Sequence, residues 1–137
     1  MAISLGFFHD SALTNPVSQL VFVHATDDSL PFVKQRVFLG SPDGTKNYQA
    51  ASVPGIDQIT VTVVDPNSIP EFLPTHVKLA LTEVGLDTAT PGDPLNVGTD
   101  IAGGAGNGVE VWIQVIDTNL PQGTYGLNPT TNLVAEF

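Results

Sequence analysis

A chain of 137 residues fits one domain, and 42% hydrophobic residues are too many for a disordered protein. Asp and Glu number 14 against 4 Lys and Arg, a formal charge of −10, which argues against nucleic-acid binding because neutralising phosphates needs a basic face. The absence of cysteine excludes disulfides and the common cysteine-bearing zinc sites, and every apolar run is far too short to span a membrane.

With 11 prolines and 13 glycines, the apolar residues fall into short packets, a pattern of short strands joined by turns. Period-two alternation predicts a first strand from Ile3 to about Phe8 and a second over Gln19–Ala25, with both faces apolar. The opening residues hold no cationic segment followed by an apolar run, so no signal peptide is expected. Val33–Gly40 sets Val33, Val37 and Leu39 on one face and Lys34, Arg36 and Phe38 on the other. Ser41-Pro42-Asp43-Gly44 is a turn, since Pro presets φ and Gly accepts the positive φ that follows. Ile59–Val64 alternates Ile59, Val61 and Val63 with Thr60 and Thr62, and Asp65-Pro66-Asn67 reads as a second turn. A short helical turn near Ser68–Leu73 fits the pattern, and no stretch shows a longer helical stripe.

His76–Val84 is predicted as a strand with Val77, Leu79 and Leu81 inward and His76, Lys78 and Thr82 outward. From Leu86 to Gly108 lie two prolines and six glycines, which predicts a long Gly-rich loop. Val109–Asp117 turns Val109, Val111, Ile113 and Val115 inward, opposite Glu110, Trp112 and Gln114. Leu120-Pro121-Gln122-Gly123 is a turn, and Asn132–Phe137 is the closing strand. About seven strands with turns between them predict an all-β fold, a single β-sandwich of immunoglobulin-like or jelly-roll type, over residues 1–137.

The residues offer little chemistry. His9-Asp10-Ser11 has the residue types of a hydrolase triad, but triad members come together from different elements around a strained nucleophile turn. The sequence is therefore read as no enzyme, with no cofactor and no metal. His24 and His76 read as strand-surface or interface residues. Asp27-Asp28 and the set Asp87, Asp93 and Asp100 supply hard oxygens of the kind calcium takes, without calcium-loop spacing, and read as solvated turn carboxylates. Gly103–Gly108 lacks the Gly-Lys-Ser/Thr ending of a phosphate loop and reads as a flexible loop. Trp112, on the polar face of its strand, is a candidate for a protein contact, for a carbohydrate platform together with Tyr125, or for cover by the neighbouring loop.

Two stretches carry a resemblance. Val33-Lys34-Gln35-Arg36-Val37-Phe38-Leu39-Gly40, a turn and Tyr48 form the first. Val111-Trp112-Ile113-Gln114-Val115, then Leu120-Pro121-Gln122-Gly123-Thr124-Tyr125 and a last apolar strand, form the second. From Val33 to Phe137 this order resembles small β-sandwich virion structural proteins of tailed bacteriophages. The resemblance implies a capsid decoration or cement protein on the outside of the head, partnered by the major capsid protein and by itself as a homotrimer. Phe7, Phe8, Trp112 and Tyr125 are the candidate partner-binding residues, and Met1–Val17 and Leu86–Gly108 the candidate arms. A tail, neck or head-fibre component and a carbohydrate-binding module are the rival readings.

Overall fold

The structure, a computed structural model, describes residues 5–17, 20–24, 33–64, 77–115 and 123–137. The chain is all-β. Its strands are β1 (Gly6–Phe8), β2 (Leu20–His24), β3 (Val33–Gly40), β4 (Asn47–Ala50), β5 (Ile59–Val64), β6 (Val77–Ala80), β7 (Leu95–Gly98), β8 (Ile101–Ala102), β9 (Val109–Val115), β10 (Gly123–Thr131) and β11 (Val134–Glu136). They form three antiparallel sheets, ordered β1-β3-β9-β6, β2-β10-β5-β7 and β11-β4-β8.

One apolar core joins the three sheets. The first contributes Val37, Leu39, Val77, Leu79, Val111 and Ile113; the second Ile59, Val61, Val63 and Val97; the third Tyr48, Ala50 and Ile101. These are the inward positions of the period-two pattern, so burial of one face of each strand draws the sheets together. β3, β5 and β9 follow the expected alternation, with Val37, Val61, Val111 and Ile113 fully buried.

Several elements depart from expectation. β4 and β7 were illegible because Asn47-Tyr48-Gln49-Ala50 and Leu95-Asn96-Val97-Gly98 carry only two inward apolar residues each, set among turn formers, whereas β11 falls within the strand expected over Asn132–Phe137. Among the described residues eleven strands therefore stand where about seven were expected. β10 changes partner along its length, with Gly123–Leu127 opposite β2 and Asn128–Thr131 opposite β5. Pro129, which has no N–H to give, lies opposite Val63 in the half that pairs with β5.

The strand expected over His76–Val84 ends at Ala80. Thr82 Oγ1 accepts the Gly85 N–H and the chain coils into a 3₁₀ turn over Val84–Asp87, leaving Leu81 45% exposed in place of inward. Residues 86–108 are not one long loop, because Leu86, Val97 and Ile101 are buried along it and β7 and β8 lie within it. The turns expected at 65–67, 68–73 and 120–122 lie outside the described residues, as do Asp27, Asp28 and His76.

The described part of the N-terminal segment does not extend as an arm. Val17 N–H donates to Phe7 O and His9 N–H to Asn15 O, so the segment folds back on β1. At the tip, Asp10 accepts the Thr14 N–H, the Thr14 hydroxyl and the Asn15 N–H. Leu13, at φ 58°, turns inward and is 2% exposed. It rests where two glycines leave room, since a Cβ built on Gly40 or on Gly108 would come within 3.0 Å of a Leu13 methyl. The Gly103–Gly108 run is equally fixed: Gly103 and Gly104 donate to Lys46 O and Ser41 O, and Gly106 donates to Ser11 O. A Cβ on Gly103 would lie 2.0 Å from Asp43 O, so only glycine fits there.

Two outcomes follow from this corner. Leu13→Ala should lower the free energy of urea unfolding by about 2–4 kcal/mol, because it empties a buried site walled by backbone. The hydrogen bonds from Thr14, and then from Asn15, hold the Asp10 carboxyl below its ordinary value. A carboxyl with a folded pKa below its unfolded one favours folding above the unfolded value and loses that contribution as pH falls through the folded one. The stability difference between wild type and Asp10→Asn should thus be constant near neutrality and shrink below about pH 4; a gap unchanged in acid would contradict this role.

Candidate partner-binding face

The outer face of the first sheet is set by register. Phe8 on β1 lies opposite Phe38 on β3, which lies opposite Glu110 on β9. The next outward row is Arg36, Trp112 and Ala80, and the one after it Lys34, Gln114 and Lys78. In the other direction Gly6 faces Gly40, and Leu13 covers the Gly40–Gly108 site. At the far end the 3₁₀ turn packs against β6 and β9, and Lys34 Nζ reaches Glu83 Oε1 at 3.9 Å. Between these two ends lies the middle of the sheet's outer face.

Arg36 occupies its centre. Its guanidinium carbon lies 5.2 Å from the Phe38 ring centroid and 5.6 Å from that of Trp112, within cation–π range of both. Glu110 Oε1 accepts the Trp112 Nε1–H at 2.6 Å and stands 3.6 Å from Arg36 Nη1. One carboxylate oxygen therefore orients both the ring and the cation. Phe38 is buried beneath, Trp112 is half-buried, and the Arg36 side chain is 51% exposed. Strand alternation puts Lys34, Arg36 and Lys78 all on this face, three of the chain's 4 basic residues.

The candidate residues are not brought together as a group. Phe8 and Trp112 share the outer face. Phe7 points the other way and packs against the core, because successive strand residues alternate sides. Tyr125 lies in β10 opposite Phe22, in a different sheet from Trp112. A shared Trp112–Tyr125 sugar platform is therefore not assembled within one sheet, and a guanidinium already attends the Trp112 ring. Arg36, Phe38 and Glu110 were missed as a site, although Arg36 and Phe38 were read as outward; their i, i+2 spacing on a strand and the cross-strand register were the usable signal.

Elsewhere the sequence candidates are separate. His9 is exposed, Asp10 serves the Thr14 turn, and Ser11 contributes its carbonyl to Gly106. Among the described residues no three His, Asp or Glu side chains gather to hold a metal ion. Asp100 instead accepts from Gln49 Nε2 at 3.4 Å. Asp43 accepts the Thr45 hydroxyl and N–H, which lower its pKa, the hydroxyl most. In comparison with known proteins, the chain matches no family model, no curated protein and no solved structure.

Glu110→Ala should release the indole without loosening the fold. Trp112 is the sole tryptophan, so acrylamide quenching of its fluorescence should rise while unfolding free energy changes by less than about 1 kcal/mol, the scale of an exposed ion pair. Unchanged quenching would place the indole under other control.

Proposed function

We propose that this chain is a capsid decoration protein of a tailed bacteriophage, docking on the major capsid protein from outside the head through the Phe8–Arg36–Trp112 face. The observation that carries the reading is the Arg36 guanidinium held between the Phe38 and Trp112 rings and half open to solvent. Trp and Arg dominate the residues whose truncation costs most at protein interfaces, and here their side chains are oriented in advance by Glu110. The resemblance of Val33–Gly40 and Val111–Tyr125 to phage β-sandwich proteins supplies the partner class. The candidate face itself is β3 and β9, the strands of those two stretches.

Cementing needs no reaction. A subunit bound across neighbouring capsid proteins adds buried area that must be exposed again before the shell opens. Binding the assembled shell and not free subunits stabilises assembly by mass action, by RT ln(1 + [L]/Kd) at each site. Many copies multiply a modest gain. The resemblance also implies a homotrimer, in which each copy presents one patch to the next around a threefold axis.

Co-sedimentation with purified capsid shells tests the reading. Wild type should bind with saturable stoichiometry, and Trp112→Ala should weaken binding about tenfold or more, a loss above about 1.4 kcal/mol. Failure to bind shells, or capture by tails alone, would remove the decoration assignment.

A further inference from the structure

Asn107-Gly108 is the only Asn-Gly pair in the chain. With no side chain to shield it, a glycine nitrogen approaches the preceding carboxamide more readily than where a larger residue follows. Packing dictates this glycine. A Cβ built on Gly108 would come 3.0 Å from Leu13 Cδ2 and 3.4 Å from Leu39 O and Phe38 Cβ, so the leucine that closes this end of the first sheet excludes a side chain there. The asparagine is used as well. Asn107 is exposed, its Nδ2 donates to Gly103 O at 2.9 Å, and its N–H donates to Gly104 O at 3.1 Å. Those bonds close the turn whose other N–H groups reach Lys46 O, Ser41 O and Ser11 O. Among the described residues nothing accepts the Gly108 N–H.

We infer that Asn107 is a self-modification site, a succinimide-forming asparagine that the folded corner holds back and whose conversion keeps the corner from closing again. In the first step Gly108 N bonds to Asn107 Cγ and the Cγ–Nδ2 bond breaks. Nδ2 leaves as ammonia, carrying the proton that Gly108 N gives up. Solvent water then opens the cyclic imide. Cleavage between the nitrogen and Cγ leaves aspartate. Cleavage between the nitrogen and the Asn107 backbone carbonyl carbon leaves isoaspartate, with the main chain rerouted through the side chain. No oxidant or reductant enters.

Two contacts slow the first bond in the folded chain. The carboxamide must leave Gly103 O, and Gly108 must shift from beneath Leu13 to bring its nitrogen round. The reaction therefore runs through local opening of the 103–108 corner, at a rate set by the open fraction. The product then reverses the sign of the contact. A carboxylate at 107 accepts and cannot donate, so it opposes Gly103 O where the carboxamide had bonded, and the carbonyl of a buried residue loses its donor. Each conversion leaves the corner more open than before. The change is one-way, and it is built into a turn that the packing of Leu13 against Gly40 and Gly108 requires.

Incubation of the full chain at mildly alkaline pH, followed by peptide mass mapping and isoaspartate-specific enzymatic methylation, tests it. In urea the peptide holding residue 107 should convert, gaining the mass of NH2 replaced by OH, with isoaspartate in part of the product. In native buffer the same conversion should be about tenfold slower or more, because the corner must open first. Leu13→Ala should speed the native reaction several-fold. Asn107→Asp, which carries the aspartate product, should speed amide exchange at Gly103, Gly104 and Gly106 relative to wild type. The comparison of wild type in urea and in native buffer depends on no variant folding. No conversion at Asn107 in urea, a native rate equal to that in urea, a native rate indifferent to Leu13→Ala, or unchanged exchange in Asn107→Asp would each overturn the inference.

Discussion

The pairing of β3 with β9 is the contact on which the rest of the molecule depends. Val33–Leu39 lies opposite Val109–Val115 without a break, the longest register among the described residues. Its inner face gives the core Val37, Leu39, Val111 and Ile113, against which the other two sheets close. The outer face of the same strands carries Arg36, Phe38, Glu110 and Trp112. Because alternation fixes which side each residue takes, the apolar inward residues that hold the fold also hold the outward cluster in place. Backbone that cannot move lowers the ordering cost of binding.

The ends of this pair show how neighbouring loops are set. Where β3 and β9 run out, Gly40 and Gly108 leave space that Leu13 fills, and the Asp10 turn keeps Leu13 in its left-handed conformation. Ser41, Lys46 and Ser11 then accept the N–H groups of Gly104, Gly103 and Gly106. At the third sheet, Asn132 holds the crossing from β10 to β11: its Nδ2 donates to Gln58 O, and its Oδ1 accepts the Thr60 N–H. Side-chain hydrogen bonds at corners of this kind let a chain rich in glycine and proline turn without unpaired backbone.

The all-β class, β3, β5 and the body of β9 were legible because Val, Ile and Phe alternate there without interruption. β4, β7 and β8 were not, since each buries only one or two apolar side chains and depends on tertiary pairing. The glycines of 103–108 looked like slack, yet Gly103 is required by the approach of Asp43 O, a contact between residues far apart in sequence. Trp112 and Phe8 were identified as candidates from the residues, but their relation to Arg36 and Glu110 needed the β1–β3–β9 register. Phe7 and Tyr125 did not join them, the first because it turns to the core and the second because it belongs to another sheet.

The aromatic and cationic face of the first sheet is the one proposed to meet a protein partner. Arg36 is the chain's one arginine, so its rate of modification by an arginine-specific dicarbonyl, measured free and bound to capsid shells, reads that face alone. Protection in the bound state is predicted. Equal rates, with the protein demonstrably bound, would show that the partner contacts another surface.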